Sequence, residues 1–274
     1  MLKEMQRPLL MKVLRFHEWQ KKVFFRFYHP VRKPWFPLFD ACPLLAAPKI
    51  RMRLIPTDFM HGIIAFTGMY ESNLTLHIAQ KARKGGLFID VGANAGYFSL
   101  IWAALNPSNT ALAFEASPRN IQLLEQNIRS NNLAERIRVY PFALGKESAS
   151  MPFDLGPSTL TGWGGVSLTQ HENTINVSVR RLDDVIGDTS LIDVMKIDVE
   201  GADTWVIMGA EKLLLQKRIK VLYFEQNKTR LKLLNIGLND AAEYLYSVGY
   251  HAEAISDATQ DIVEWKALPE GQAV

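Results

Sequence analysis

Two patterns of apolar and polar residues alternate along the central part of the chain. Short apolar runs ending in turn residues predict buried strands, and longer stretches with helical apolar spacing predict helices. The predicted strands are 87–92, 111–116, 137–143, 175–180, 194–198, 219–225, 250–255 and 261–266. The predicted helices are 73–84, 97–105, 118–129, 204–216 and 240–248. This alternation predicts an α/β fold, an open and mostly parallel sheet with helices on both faces.

The N-terminal part of the chain follows a different pattern. Apolar side chains near helical spacing between Leu10 and Tyr28 predict one or two amphipathic helices. Six prolines from Pro30 to Pro56 disfavour regular helix and predict an extended arm or linker. We therefore divide the chain into an N-terminal extension, 1–56, which is basic, amphipathic and proline-rich, and a principal domain, 57–270.

The composition is that of a soluble globular protein, with 48% hydrophobic and 22% charged residues. It excludes a disordered chain, a collagen-like fibre and a disulfide-stabilised miniprotein. Cys42 is the only cysteine, so neither an intrachain disulfide nor a Cys-rich zinc site is expected. The six histidines lack metal-ligand spacing, and no metal site is predicted.

Positive charge is concentrated at the front of the chain. Residues 1–53 contain twelve Lys/Arg and three Asp/Glu, a net charge of +9, whereas the remaining residues carry −6. The basic segment has three interpretations: packing on the domain or on a second subunit, peripheral contact with anionic lipid, or binding of an acidic substrate. The acidic remainder makes a nucleic-acid partner unexpected.

The expected location is cytoplasmic, with peripheral membrane contact as an open alternative. The sequence contains no apolar run near the roughly 18–20 residues of a membrane-spanning helix. Lys3, Glu4 and Arg7 also interrupt the apolar stretch that a secretory signal would need.

Acidic residues close four of the predicted strands, namely Asp90, Glu115, Asp198 and Glu225. In open α/β sheets, ligands bind at the carboxyl ends of the strands. Burying four acids without partners is costly, so we expect them to face one shared polar cleft.

A turn rich in small residues follows the first of these strands. Gly92 and Gly96 flank Asn94 and let a ligand approach the backbone closely, although a tight strand-to-helix turn with no ligand is the simpler alternative. The dinucleotide fingerprint G-x-G-x-x-G is incomplete here, which weakens a phosphate-binding interpretation. Glu115 lies 23 residues after Gly92, near the offset of about 20 at which an acid holds ribose hydroxyls. Together these features predict a nucleoside-containing ligand.

Five motifs carry a resemblance to a known family. In order they are DVGANAGYFSL, FEASPRN, PFALG, RRLDDV and MKIDVEGAD, within roughly residues 70–226. This set resembles the FkbM family of S-adenosylmethionine-dependent methyltransferases. The resemblance implies a class I methyltransferase (Rossmann-like) sheet of seven strands with the seventh antiparallel. It also implies methyl transfer, usually to a hydroxyl oxygen.

The resemblance further implies roles for individual residues. Glu115 matches the acid that holds the cofactor ribose, and Asp198 matches the residue that faces the methyl group. Ala116 and Ser117 match positions beside the adenine. The residues matching the first motif, expected to bind the methionine part of the cofactor, are Asp90, Gly92, Asn94, Gly96 and Tyr97.

The cofactor carries its own electrophile, so the protein needs to align an acceptor and accept a proton. Strand alternation turns Lys196, Asp198 and Glu200 to one side. We expect Asp198, then Glu200, to act as base or substrate orienter. The alternative for Glu200 is that it braces the next helix. Glu225 is a further candidate.

Trp163 lies between glycines in the irregular segment 145–180. It forms either a movable wall over the acceptor or the filling of a hairpin. The sequence thus predicts an S-adenosylmethionine-dependent O-methyltransferase acting on a small-molecule or glycan acceptor, for example a sugar, glycolipid or secondary metabolite. The alternatives are a nicotinamide-dependent oxidoreductase and a non-catalytic cofactor-binding scaffold.

Overall fold

The computed structural model describes residues 6–13, 17–29, 33–187, 191–257 and 261–271. Its helices are α1 Leu9–Val13, α2 His17–Val23, α3 Phe59–Thr67, α4 Ser72–Ala82, α5 Tyr97–Leu105, α6 Pro118–Ser130, α7 Leu182–Val185, α8 Asp203–Met208, α9 Glu211–Leu215, α10 Lys228–Leu233 and α11 Asp240–Ser247. Its strands are β1 Cys42–Pro43, β2 Arg51–Met52, β3 Leu87–Val91, β4 Thr110–Phe114, β5 Ile137–Tyr140, β6 Ala143–Leu144, β7 Ala149–Asp154, β8 Gly165–Val166, β9 Thr174–Arg180, β10 Val194–Ile197, β11 Leu222–Asn227, β12 Tyr250–Asp257 and β13 Ile262–Pro269.

A seven-stranded sheet forms the centre of the molecule, in the order β12-β13-β11-β10-β3-β4-β5. The strands from β11 to β5 run parallel, and β13 lies antiparallel between β11 and β12. The predicted fold class is confirmed, including the antiparallel last strand. The strand order reverses between β3 and β10, which is where such sheets bind ligands.

Both faces of the sheet are buried. Phe88 of β3 and Val194 of β10 enter one apolar cluster, whereas the next residues, Ile89 and Met195, enter a second cluster on the opposite face. This follows from the period of two along a strand. The fully buried Trp102 of α5 stacks on Phe88 with a ring-centroid distance of 5.2 Å and fixes this helix against the sheet.

Two predicted elements are divided in the structure. The predicted strand 137–143 splits into β5 and β6, and β6 belongs to a separate small sheet of order β6-β9-β7-β8. The predicted helix 204–216 splits into α8 and α9 after Gly209. A Cβ on Gly209 would lie 2.1 Å from the Gly145 carbonyl oxygen, so the chain approaches the small sheet closely here. This close approach explains the break.

The proline-rich part of the N-terminal extension is not an extended linker. Lys33–Phe39 forms a 3-10 helix that includes Pro37, and Phe39 is fully buried. Short 3-10 segments make few backbone hydrogen bonds, so the missing N–H of proline costs little. The prediction of an extended conformation is wrong for this segment, because burying its aromatic residues dominates.

The extension packs against the principal domain. Met11 and Phe24 belong to the same buried cluster as Phe88 of the central sheet. The Arg7 guanidinium donates to the carbonyl oxygens of Ala65 and Pro43. The amphipathic helices predicted before Tyr28 occur as α1 and α2, and the π-helical turn Phe24–Tyr28 follows them.

Some predicted features of the extension lie outside the described residues, namely the basic side chains Lys3, Arg15 and Arg32. The division of the chain at residue 56 stays a prediction. Among the helices that the structure describes, none combines the length and the apolar character that crossing a bilayer requires.

We expect Phe24→Ala to lower the free energy of unfolding by about 3–5 kcal/mol, the usual cost of removing a buried phenyl ring. Phe27→Ala is the matched control, because Phe27 is 59% exposed and belongs to the same turn. Urea unfolding of both variants measures the difference. Equal stability of the two variants would show that the extension is not part of the folded core.

Candidate functional site

A cavity of about 640 Å³ opens at the carboxyl ends of β3, β4, β10 and β11. This volume is within the range of small-molecule sites, about 300–1,000 Å³. Of the sequence-predicted site residues, those lining the cavity are Gly92, Asn94, Tyr97, Glu115, Ala116, Asp198, Glu200, Glu225 and Trp163. The predicted position of the site at the strand ends thus coincides with a cavity that can hold a ligand.

The turn after β3 is built by left-handed backbone conformations. Gly92 has φ +78°, and a Cβ there would lie 1.9 Å from the Asp198 carbonyl oxygen. The N–H groups of Gly92 and Ala93 donate to the Phe114 carbonyl, and that of Asn94 donates to Glu115. These three N–H groups are therefore already hydrogen-bonded within the protein and are not available to bind a phosphate. This disfavours the nicotinamide-dinucleotide alternative.

Glu115 joins the ends of β3 and β4. Its Oε2 accepts from the Asn94 N–H and its Oε1 accepts from the Ser117 N–H, both at 2.8 Å. Burial raises the pKa of Glu115, and these backbone hydrogen bonds oppose the shift. Hydrogen bonds from the Ala116 N–H and the Asn120 side chain act in the same direction, so Glu115 is held rigidly at the edge of the cavity.

Asp90 does not share the cleft with the other strand-end acids, so the prediction of four acids in one cleft is wrong for this residue. Its Oδ2 accepts from the Ser99 N–H at 3.1 Å and from the Ser99 hydroxyl at 2.6 Å. Asp90 therefore binds the first turn of α5, where a negative charge is favourable. Gly96 and Ser117 likewise lie behind the cavity wall, Gly96 against Leu124 and Ser117 beneath Glu115.

Lys196 places a buried positive charge beside the cavity. Its Nζ lies 3.0 Å from Asp198 Oδ2, and the side chain is 3% exposed. Burial alone would lower the pKa of Lys196, but the charges of Asp198, Asp90 and Glu71 outweigh it and raise the pKa. The ammonium therefore stays charged and fixes the Asp198 carboxylate, as expected from their positions on one side of the strand.

Further carboxyl groups surround Asp198. Burial, followed by the charge of Asp198, raises the pKa of Glu71 to about 8, of Glu200 to about 8 and of Asp203 to about 7. The same two causes raise the pKa of Glu225 well above its usual value. Ionising all of these groups at once is unfavourable in the absence of further positive charge. The cluster is therefore suited to a cationic ligand.

Across the described part of the chain, no group of three or more His, Cys, Asp or Glu side chains has an arrangement that could hold a metal ion.

Glu200 contributes to the cavity and does not cap the next helix. At the start of α8, the Gly201 N–H donates to Asp203, at 3.3 Å. Glu200 Oε2 instead lies 3.4 Å from Asn227 Nδ2 and 3.8 Å from Arg230 Nε. The helix-bracing role that was the alternative for Glu200 is thus filled by Asp203.

Glu71 was missed by the sequence analysis. It precedes α4 with φ +39° and reaches the cavity from a loop. The Tyr97 hydroxyl accepts from the Tyr70 N–H at 3.1 Å and from the Thr75 hydroxyl at 3.3 Å, so α5 holds this loop in place. No motif or periodicity marks Glu71, because its position depends on packing between separate elements.

Aromatic and apolar side chains line the cavity near Glu115. Ala116, Phe142 and Phe153 contribute to this wall. Phe142 belongs to the PFALG motif, and its ring lies 5.8 Å from that of Phe114. This part of the cavity can accommodate a flat ring.

The small sheet places Trp163 at the cavity. Its side chain is 50% exposed, which excludes the alternative that it fills a hairpin. The Trp163 carbonyl accepts from Arg230 Nη2 at 2.7 Å. The neighbouring Thr161 N–H donates to Asp58 Oδ2 at 2.7 Å. The backbone around Trp163 is thus anchored at two points while its indole borders the cavity.

Helix α2 of the N-terminal extension also borders the cavity, through His17, Glu18 and Lys21. His17 Nε2 lies 3.1 Å from the Met69 carbonyl oxygen, and burial lowers the pKa of this imidazole. The sequence analysis left substrate binding open as a role of the basic segment, but it singled out none of these three residues for the cavity.

Comparison with known proteins identifies relatives. The sequence model described as Methyltransferase FkbM domain matches residues 90–252. Methyltransferase 1 of Beauveria bassiana is 28% identical over 144 residues, covering 45% of this chain and 57% of the relative. The 2-O-methyltransferase NoeI of Sinorhizobium fredii is 26% identical over 194 residues, covering 64% of this chain and 76% of the relative.

The crystal structure of Methyltransferase FkbM from Methylobacillus flagellatus KT has a TM-score of 0.49 and 19% identity, covering 67% of this chain and 43% of that one. The chain spans less than two thirds of the length of Methyltransferase 1.

The ligand-free protein should lose stability as the pH rises from about 5 to about 8. Glu71 and Glu200 have a pKa of about 8 in the folded protein and about 4.3 in the unfolded chain. The folded state therefore binds more protons in this interval, and each proton contributes a slope of about −1.4 kcal/mol per pH unit. Urea unfolding at several pH values measures it.

Glu71→Gln should flatten this dependence, because it removes one titrating group. Glu125→Gln is the matched control, since Glu125 is a solvent-accessible partner of Arg129 on α6 and should leave the profile unchanged. A wild-type slope in Glu71→Gln would contradict the assignment.

Proposed function

The chain belongs to the FkbM methyltransferase family, and we propose that it transfers the methyl group of S-adenosylmethionine to a hydroxyl oxygen of its acceptor. S-adenosylmethionine is the cofactor of this family, and when bound it supplies a methyl group activated by a sulfonium. The observation that carries the proposal is the cluster of raised-pKa carboxyl groups beside Asp198, in the same cavity as Glu115.

The residues of the cavity fit this cofactor. Two buried polar atoms of residues that line it, Asn94 Oδ1 and Thr161 Oγ1, have no hydrogen-bond partner among the residues that the structure describes and are available to a polar ligand. The Glu115 carboxylate borders the cavity, where it would accept hydrogen bonds from the ribose hydroxyls. Ala116 and Phe142 would lie against the adenine, as expected for an apolar wall beside a flat base.

The charge of the cavity also fits S-adenosylmethionine. The cofactor brings a sulfonium and an ammonium group, and a positive charge within about 4–6 Å favours the ionised form of a carboxyl group. Glu71, Glu200 and Glu225 would therefore release protons when the cofactor binds. Cofactor binding would thus convert carboxyl groups that are protonated in the ligand-free protein into carboxylates. These carboxylates would lie beside the acceptor hydroxyl, where they can accept hydrogen bonds or a proton.

Transfer to a hydroxyl forms a carbon–oxygen bond, breaks the bond between the methyl carbon and the sulfonium sulfur to leave a neutral thioether, and releases the hydroxyl proton. We assign Asp198, which is fixed by Lys196, to orient the acceptor hydroxyl by accepting a hydrogen bond. We assign Glu200 to accept the proton, because it lines the cavity and becomes an ionised carboxylate once the positive charge of the cofactor has lowered its pKa from about 8. Methyl transfer thus requires alignment and one proton acceptor from the protein, without a covalent intermediate.

The cavity opening supports a proposal for the class of acceptor. The half-exposed Trp163 offers an aromatic face of the kind that stacks on sugar rings. The name of the relative NoeI, a 2-O-methyltransferase, supports oxygen as the methylated atom. We therefore propose a sugar, a glycolipid or a hydroxylated secondary metabolite as the acceptor.

Glu115→Ala should weaken binding of S-adenosylhomocysteine by about 1.5–3 kcal/mol, because charge-assisted hydrogen bonds to the ribose are lost. Isothermal titration calorimetry measures the affinity. Glu147→Ala, an exposed acid after β6, is the control and should bind as wild type. An unchanged affinity of Glu115→Ala, with an intact circular dichroism spectrum, would remove Glu115 from the cofactor site.

Glu200→Gln should lower kcat by about 10²–10⁴-fold, the usual contribution of a general base. The affinity for S-adenosylhomocysteine should change much less than kcat. Label transfer from methyl-labelled cofactor to acceptors in a cell extract, followed by mass spectrometry, gives the activity and identifies the product.

Asp198→Asn provides the comparison for Glu200→Gln. It should slow transfer while leaving the pH dependence of kcat in place, since orientation is impaired and the base is retained. If Glu200→Gln retained full activity, Glu200 would not be the base. If the wild-type protein bound the cofactor but transferred no label, the non-catalytic alternative would be favoured.

A further inference from the structure

Large apolar side chains are exposed along the N-terminal extension. Five of them are between 43% and 75% exposed, namely Leu9, Leu10, Val13, Trp19 and Phe27. They lie on α1, α2 and the following π-helical turn, whose other side buries Met11, Gln20 and Phe24. The extension therefore has an inner side that packs on the domain and an outer side that is apolar. Exposed apolar groups concentrated in one segment mark an interaction surface.

Basic side chains are interleaved with these apolar ones. Lys12, Lys22 and Arg26 are exposed in the same three elements. The Lys22 ammonium lies 5.7 Å from the centre of the Trp19 ring. The acid in this stretch, Glu18, forms an ion pair with Lys21 at 2.6 Å, so its charge is offset locally. We call these eight residues, five apolar and three basic, the apolar–basic surface.

We propose that the apolar–basic surface docks the protein on an anionic lipid bilayer. Apolar side chains enter the boundary between headgroups and acyl chains, while lysine and arginine keep their charges at the level of the phosphates. Each basic residue near an anionic membrane adds to the electrostatic attraction. The apolar side chains of the surface thus match the acyl chains, and its basic side chains match the anionic headgroups.

A second copy of the chain matches the surface less well. A two-fold symmetric contact would place the basic residues of one copy against the same residues of the other. The segment 1–53 carries a net charge of +9, so this contact would be repulsive, whereas the remaining residues carry −6. The same asymmetry orients the molecule on a negative membrane, with the extension towards the lipid and the acidic part away from it.

The apolar–basic surface lies next to the cavity. Trp19 and Lys22 belong to α2, and the other side of this short helix places His17 and Lys21 at the cavity wall. Docking would therefore bring one border of the cavity close to the membrane surface. The proposal concerns binding to lipid and does not depend on the identity of the reaction.

Co-sedimentation of the full-length protein with vesicles tests the proposal. We expect binding to phosphatidylcholine vesicles that contain about a third phosphatidylglycerol, little binding to phosphatidylcholine alone, and loss of binding as salt rises from about 0.1 to 0.5 M. Lys22→Glu combined with Arg26→Glu should lower the partition coefficient by roughly tenfold or more.

Trp19→Ser combined with Phe27→Ser should also reduce vesicle binding, and both sites are exposed, so the fold should be retained. The matched control is Leu233→Ser combined with Tyr246→Ser, which removes two exposed apolar side chains from α10 and α11. This control should bind vesicles as wild type.

Two results would overturn the proposal: equal binding by the Trp19/Phe27 variant and the wild type, or no binding of wild type to anionic vesicles. A dimer in light scattering that the Trp19/Phe27 variant loses would assign the surface to self-association. Calorimetry with S-adenosylhomocysteine on the same preparations separates the outcomes, because intact cofactor binding without vesicle binding contradicts only the docking.

Discussion

A single buried ammonium group organises the ligand-binding end of the molecule. Lys196 lies on β10, next to the point where the strand order reverses, and its charge acts on Asp198 and on Asp90. Asp90 in turn binds the first turn of α5. Removing the charge would leave buried carboxylates without compensation, which is among the most destabilising changes in a protein interior. The helix start, the sheet and the cavity wall therefore depend on the same electrostatic balance.

Much of this arrangement could be predicted from the sequence, because strand periodicity and turn residues are local signals. The alternation around β3 and β10, the acids at the strand ends and the glycine turn all appear in the pattern. The exception was Asp90, whose direction depends on how α5 packs over the sheet. Glu71 shows the limit more clearly, since a loop before α4 brings it to the cavity and only the folded chain defines that position.

The N-terminal extension illustrates a second limit. Its apolar and basic residues, mixed with prolines, predicted amphipathic helix and an extended arm, and packing on the domain was one of three interpretations left open. In the structure, Phe24 and Phe39 complete the apolar cluster below the central sheet, and His17 reaches the cavity. Helical spacing identifies an apolar side but not which partner covers it. In the proline-rich segment, the free energy gained by burying aromatic side chains outweighs the preference for an extended backbone, and this gain depends on tertiary packing.

The small sheet formed by β6 to β9 covers the cavity as a separate unit of the chain. It is inserted between β5 and β10, and near the cavity it is held by Asp58 at Thr161 and by Arg230 at Trp163. Glu115 and Asp198, which we propose to face the cofactor, directly follow β4 and β10 of the central sheet. The small sheet nevertheless contributes to both ends of the cavity, because Phe153 of β7 lies in the wall near Glu115 and Trp163 borders the opening. An engineered replacement of the insertion would therefore have to keep Phe153 in place, since Ala116 of the central domain packs in the apolar cluster of the small sheet.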